Sequence, residues 1–268
     1  MLDFFPVNQV KPKVKDCVGA SPRTPGKHDA LNAYLGKQVG VASRLLNSNQ
    51  IFHIVDCTAG SGECSNYSKT TSPEIIEKHA DWLRSRNKNV NVSFYERSPV
   101  NASKLKAKTK YPVYAQDAKN VPVCWSERDF LFVVNDPNTM QDWVLPESLK
   151  YAPKMTTIFS TMGCNVGGIK RLDYKYRQVW YHHLEGQLRL LRRWHDALIV
   201  TLEGDAAQWA YLVNAPDKWR DDVEKNFNKA FKKCNHTLKS AWYYKDRVDF
   251  NNIVNYLFKT HKERLNDV

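Results

Sequence analysis

Four short apolar runs, each closed by an acid or an amide, set the limits on what this chain can fold into. The stretch 51–62 reads IFHIVDCTAGSG, an apolar run that ends in Asp56 and a glycine turn. FYER closes a second run at Glu96, QD follows a third at Asp117, and NDPN follows a fourth from Asn135. Runs of this kind describe the carboxyl edge of a parallel sheet, and ligands of open α/β sheets bind outside those strand ends. The reading is a nucleotide-type cofactor site.

The segments between the runs support that sheet. Strands are expected at 51–56, 90–96, 111–115, 129–135 and 154–160, with helical stretches SPEIIEKHADWLRSR, SPVNASKLKAK and a short one at 143–150 between them. Ser72-Pro73-Glu74 and Ser98-Pro99 suit helix starts, with serine as cap and proline in the first turn. Alternation of strand and helix is the signature of a parallel sheet covered on both faces. Ahead of the first strand, Leu31, Tyr34, Leu35, Val39, Ala42 and Leu45 recur at helical spacing, so a helix is expected over 27–46.

Three regions follow. Residues 1–26 read as an irregular basic arm, 27–215 as the α/β domain, and 216–268 as an extension of two or three basic helices with breaks near Asn235 and 246–249. Near the end of the domain, a long amphipathic segment at 174–196 precedes ALIVTLEG, the pair Asp205-Ala206 and AQWAYLVNA. Two strand-like runs around a tight polar turn make an antiparallel hairpin.

Composition narrows the partners. Forty Lys and Arg against 28 Asp and Glu give a net charge of +12, which favours an anionic partner, nucleic acid first. Trp and Tyr lie among the basic residues of KRLDYKYR and RLLRRW, a mixture suited to phosphate contact with base stacking. The competing reading is a solvated surface that only confers solubility. No apolar run approaches the roughly 20 residues a membrane span needs. The first residues place apolar side chains before the charges, the reverse of a secretory signal, so the expected location is the cytoplasm. The cysteines at 17, 57, 64, 124, 164 and 234 show no paired spacing, so neither a metal site nor a disulfide framework is expected. Cys57 and Cys64 flank the glycine turn, and buried packing is the favoured role over reactivity.

A parallel sheet finished by a long helix and a hairpin resembles the seven-stranded, mostly parallel, Rossmann-like sheet of class I S-adenosylmethionine-dependent methyltransferases. DCTAGSG is similar to the DPFAGSG-type first motif of the amino-methyltransferases in that superfamily. Asp56, Ala59, Gly60, Ser61 and Gly62 match it, while Cys57 and Thr58 stand where Pro and Phe are usual. The resemblance implies S-adenosylmethionine as cofactor, held by Asp56, Thr58, Gly60, Gly62, Glu96, Asp117 and Asn135. Glu96 is placed to accept hydrogen bonds from a ribose diol; the alternative is a strand-end acid paired with Arg97 or a lysine. Asp117 is placed to meet the adenine amino group, or it caps a plain turn.

The motif NDPN is similar to the Asp/Asn-Pro-Pro-aromatic motif with which such enzymes hold a target amine and stack a flipped base. Asp136, Pro137 and Asn138 are therefore the expected catalytic residues, but Asn138 and Thr139 replace the second proline and the aromatic. Trp143 either supplies the missing ring or packs in its own helix. A resemblance over about two-thirds of the chain runs through PRTPGKHDALNAYL, DCTAGSG, FYERS and DPN followed by DW. These segments resemble the three-Cys-motif partner proteins, in which a K-x-x-x-L-x-x-Y-L-like helix precedes the first motif. Lys27, Leu31, Tyr34 and Leu35 fit that helix.

The loop STMGCNVGGIKR from Ser160 is either a phosphate-binding substrate loop or a connector. His182, His183 and His195 are more readily solvent-facing or satisfied than catalytic. The leading expectation is a methyltransferase acting on nucleic acid. The alternative is a methyltransferase fold without catalysis that serves as a nucleic-acid- or protein-binding module, the protein partner being met through the C-terminal helices. A nicotinamide-dependent oxidoreductase is disfavoured by the hairpin and by the lack of a true GxGxxG.

Overall fold

The computed structural model describes residues 24–63, 70–136, 145–161, 197–204, 207–214 and 237–244, together with Asp221, Lys225 and Lys229. Expectations for 1–23, Cys64, Pro137, Asn138, Trp143, the loop beyond Thr161, and His182, His183 and His195 lie outside the described residues.

The two most apolar runs form the centre of the sheet. Strands β1 (Phe52–Asp56) and β4 (Phe130–Asn135) are buried at every position, as strands covered on both faces must be. They pair in parallel, Phe52 beside Phe130 through Asp56 beside Val134. Parallel pairing continues to β2 (Val90–Tyr95) and β3 (Val113–Tyr114) on one side and to β5 (Met155–Thr161) on the other. β6 (Ala197–Gly204) and β7 (Ala207–Asn214) are antiparallel to each other, and β7 is antiparallel to β5. The whole sheet has the order β3-β2-β1-β4-β5-β7-β6-β8.

The last strand corrects the expected architecture. β8 (Thr237–Tyr244) pairs antiparallel with β6, so the region expected to hold two or three basic helices returns a strand to the sheet, and the described residues form eight strands rather than the expected seven. Its sequence, TLKSAWYY, is rich in the aromatic and β-branched residues that favour a pleated surface. Asp221, Lys225 and Lys229 are helical and exposed.

Three helices cover the first half of the sheet. Helix α1 (Thr24–Leu45) starts three residues earlier than its apolar spacing predicts, because Pro25 is tolerated in a first turn. It buries Leu31, Tyr34, Leu35, Val39 and Ala42 in one cluster with Phe52, Ile54, Phe94, Phe130 and Phe132. Helix α2 (Ser72–Arg84) is capped by Thr71 and not by Ser72. The Thr71 hydroxyl accepts from Glu74 N while the Glu74 carboxylate accepts from Thr71 N, a reciprocal capping box. Helix α3 (Pro99–Lys106) is capped by Ser98. The stretch before β5 forms a 3-10 helix at Glu147–Tyr151. Among the described residues no helix is long and apolar enough to cross a membrane.

Candidate functional site

Chain connections leave the sheet in opposite directions from β1 and β4. From β1 the chain passes through α2 to β2, and from β4 it passes to β5 on the other side. That reversal opens a crevice at the carboxyl ends of β1 and β4. The backbone after β1 lies across both neighbours, with Cys57 N donating to Val134 O at 2.8 Å and Ala59 N to Tyr95 O at 3.0 Å. The glycine turn therefore sits over the three central strand ends.

Asp56 closes β1 with no solvent exposure. Its Oδ1 accepts from Thr58 N at 3.0 Å, and the Ser72 hydroxyl at the start of α2 faces the same carboxyl. Oδ2 finds no hydrogen-bond partner among the described residues. Burial, opposed by the hydrogen bonds from Thr58 and Ser72 and helped to a smaller degree by the charges of Asp136 and Glu96, pushes the Asp56 carboxyl up to about 7.

Gly60 and Gly62 both have positive φ, at 68° and 64°, the region glycine enters without steric cost. The turn they make delivers Gly60 N to Glu96 Oε2 at 3.0 Å. Glu96 Oε1 accepts from Ser98 N at 2.8 Å, ahead of α3. Two expected site residues, 36 positions apart in sequence, are thus joined directly. The alternative pairing of Glu96 with a basic side chain is not what holds its carboxylate oxygens in these two bonds. Each oxygen keeps a second lone pair for a further donor.

Asp117 is near this end of the sheet because Glu96 N donates to Tyr114 O and Gln116 N donates to Glu96 O. Its Oδ1 accepts from Lys119 N at 3.1 Å and caps a three-residue 3-10 turn. The structural turn that its sequence also suggested is therefore present. Asn135 is fully buried at the end of β4, where its carbonyl accepts from the Ser160 hydroxyl of β5.

Asp136 departs from the simplest expectation for it. Its backbone N donates to Thr58 Oγ1 at 2.6 Å, tying the β4 end to the β1 turn. Its carboxylate forms an ion pair with Lys27 at the start of α1, both side chains being about a quarter exposed or less. A carboxylate expected to be open for a substrate amine is instead matched by a cation of the chain itself. His28, beside Lys27, is half-buried; burial first, then the Lys27 charge, lowers its imidazole to about 4. Lys27 and His28 are the site residues that sequence reasoning missed in this role. Lys27 carries only a helix-motif match there, and nothing local signals a contact across 109 positions.

Glu63, just past the turn, faces Lys104 and Lys108 of the α3 region at 3.4 and 3.6 Å. The Lys104 charge outweighs desolvation and holds its carboxyl below the usual range. Among the described residues no group of three or more His, Cys, Asp or Glu side chains is arranged to hold a metal ion.

No family model and no curated protein matches this chain. Solved structures with a similar course include the plantazolicin methyltransferase BpumL in complex with a pentazolic desmethylPZN analog and SAH. It is 11% identical, covers 69% of this chain and 86% of its own, and has a TM-score of 0.37. A putative methyltransferase from an antibiotic biosynthesis pathway of Anabaena variabilis is 17% identical over 64% of this chain and 66% of its own, with a TM-score of 0.33. A TehB-like SAM-dependent methyltransferase from Corynebacterium glutamicum is 11% identical over 70% and 98%, with a TM-score of 0.33. At such low identity and TM-score, these likenesses assign neither ligand nor substrate to this chain. Strand order decides the fold. Five parallel strands in the order β3-β2-β1-β4-β5, continued by β7 antiparallel to β5, form the sheet of a class I methyltransferase fold.

Proposed function

We propose that the crevice binds S-adenosylmethionine and that the chain transfers its methyl group to an anionic acceptor. The single observation that carries the reading is the bond from Gly60 N to Glu96 Oε2 at the point where the strand order reverses. It joins a close-approach glycine to a strand-end acid, the pair a ribose diol needs. The charges of Glu96 and Asp136 both reach Asp56 at the crevice, a setting suited to a cofactor that carries a sulfonium and an ammonium. The orphaned Asp56 Oδ2 fits a donor that arrives with the ligand.

S-Adenosylmethionine, when bound, supplies an electrophilic methyl group. The residues of this chain have the roles of binding and orientation. Glu96 takes the ribose hydroxyls, the glycine turn permits backbone approach, and Asp56 answers the positive charge. Asp117 is retained in this reading as the residue nearest the adenine. The net charge of +12 supports nucleic acid as the acceptor class.

Titration of the full chain with S-adenosylmethionine by calorimetry, with NAD as control, tests the site. Saturable binding of S-adenosylmethionine alone is expected. Glu96→Ala removes charge-assisted acceptors worth roughly 1.5–3 kcal/mol each, so affinity falls at least about tenfold while the circular dichroism spectrum is kept. Equal affinity in that variant would refute the ribose role.

A second reading is favoured by one observation. The Lys27–Asp136 ion pair occupies the carboxylate that an amine-methylating enzyme needs, which supports a cofactor-binding fold without catalysis that serves as a binding module. Methyl transfer that survives unchanged in Asp136→Ala would remove the amine-holding role in either case.

A further inference from the structure

β1 carries a second group of reactive side chains at its other end. His53 is 2% exposed and alternates with Phe52 and Ile54, so it points to the sheet face opposite the α1 cluster. Its Nδ1 lies 3.4 Å from Asn91 Nδ2 on β2 and 3.9 Å from Cys124 Sγ. Its Nε2 lies 3.4 Å from Asp129 Oδ2, directly before β4. Trp125 covers the ring edge-on, with centroids 6.5 Å apart.

These contacts fix the proton. Asn91 Nδ2 can only donate, so Nδ1 carries the lone pair that Asn91 and the Cys124 thiol share, and the ring N–H is on Nε2, which faces Asp129 at 3.4 Å without closing a hydrogen bond. Burial lowers the His53 imidazole from its ordinary value despite the Asp129 charge, which keeps it neutral. Asp129 is itself pinned. Its Oδ1 accepts from Ile51 N at 2.9 Å and its Oδ2 from Ser126 N at 2.7 Å. Burial acts to raise its carboxyl, but these backbone hydrogen bonds and the histidine hold it below the usual range.

Cys124 is exposed. Burial of the sulfur within its surroundings raises the thiol, with Asp129 adding to the effect. A protonated thiol facing an imidazole lone pair lacks the standing thiolate on which peroxide-sensing cysteines depend. It brings together the parts that base-assisted attack uses: a nucleophile, a neutral base 3.9 Å from its sulfur, and a carboxylate 3.4 Å from the far side of that base. Contacts between such groups are often long before a substrate is bound. The thiol in turn acts on Tyr95, whose phenol is raised to about 12, by burial first and then by Cys124.

We propose that Cys124, His53 and Asp129 form a second reactive site, separate from the crevice, that accepts acyl groups from activated esters or thioesters. Sγ bonds to the acyl carbon as its proton passes to His53 Nδ1. Collapse of the adduct breaks the bond from that carbon to the leaving oxygen or sulfur, which takes the proton from His53. No oxidant or reductant enters. His53 and Asp56 thus place different chemistry at the two ends of one five-residue strand.

The test is acetylation of the full chain by p-nitrophenyl acetate, read by intact mass and by peptide mapping. The expected product is one acetyl group on Cys124, lost in Cys124→Ala. At pH 6 the site should label at least about a hundredfold faster than the same cysteine in the urea-unfolded chain. Its rate should level off above an inflection below 6.5, the ordinary imidazole value. Asp129→Asn should lower the plateau about tenfold or more. Labelling of Cys124 no faster than in the unfolded chain overturns the proposal. So does a rate that climbs steadily with pH into the thiol range, and this profile is read on the unmodified protein without depending on any variant.

Discussion

Asp56 and His28 show how single buried groups set the response of this site to pH. Asp56 has its carboxyl raised from 3.8 to about 7, so the folded chain holds a proton that the unfolded chain releases. Its contribution to stability is complete below the unfolded value and is lost as pH rises through the folded one. His28 is lowered from 6.5 to about 4, and the unfolded chain takes up the proton first. Its contribution is present above 6.5 and is lost as pH falls towards 4. The two slopes oppose each other between pH 4 and 6.5 and partly cancel. Asp56→Asn removes one of them and keeps an acceptor for Thr58 N. The stability advantage of the variant should be near zero at pH 4 and grow to on the order of 4 kcal/mol by pH 8, measured by urea unfolding across that range. A constant difference at all pH values would mean that Asp56 titrates normally. The same ionisation links the proposed cofactor to pH. A cationic ligand favours the charged carboxylate, so affinity for S-adenosylmethionine should rise from pH 5 to 8, with proton release near pH 6.5 in calorimetry across buffers of different ionisation enthalpy.

At the scale of elements, the tight fit lies between the glycine turn and α3. A Cβ on Gly62 would come within 2.7 Å of Leu105 Cδ1, and Leu105 is itself 1% exposed with no room to retreat. Left-handed backbone and overpacking together should make Gly62→Ala cost about 2–4 kcal/mol in unfolding. Leu105→Ala in the same chain should recover part of that loss, a coupling that a double-mutant cycle measures. The glycines, the acids at strand ends and the parallel strands β1, β2, β4 and β5 are legible in sequence because each rests on a local pattern. β3 is shorter than its apolar run because Pro112 lacks an N–H for the ladder and offers only its carbonyl, to Phe94 N. The cap of α2 moves to Thr71 because its side chain completes the box with Glu74. The Lys27–Asp136 pair and the His53–Asp129–Cys124 group are invisible to spacing, since only the finished sheet brings them together. Lys27→Ala should release the start of α1 from the β4 end. Hydrogen exchange should then speed up over Thr24–Ala30, while the Leu31–Ala42 face, held by the apolar cluster, keeps its protection.

For the molecule as a whole, one sheet spans residues that sequence reading divides between a domain and an extension. β8 is joined to β6 through seven residue pairs with one irregularity at Thr201/Leu202, whereas the basic stretch 216–268 that contains it reads in sequence as two or three helices. Charge reports on partners and surface, while the alternation within Thr237–Tyr244 reports on the backbone, and here the latter prevails. The chain's net charge of +12 carries its own expectation. Binding of single-stranded DNA or RNA should weaken steeply between 50 and 200 mM salt, roughly a decade or more for each few phosphates neutralised, and salt-insensitive binding would argue against a phosphate-tracking surface. Removal of residues 237–268 tests the sheet itself. β6 would lose its outer partner and present the unpaired backbone of Ala197–Gly204, ALIVTLEG, whose apolar run invites edge-to-edge pairing. The truncated chain should therefore self-associate in light scattering, while the β1–β2–β4 centre keeps its near-complete burial and the crevice keeps its affinity for S-adenosylmethionine. If the shortened chain stayed monomeric, β8 would not be what protects the β6 edge. If it lost cofactor binding while remaining folded, the site would extend beyond the strand ends to which the ligand is assigned here.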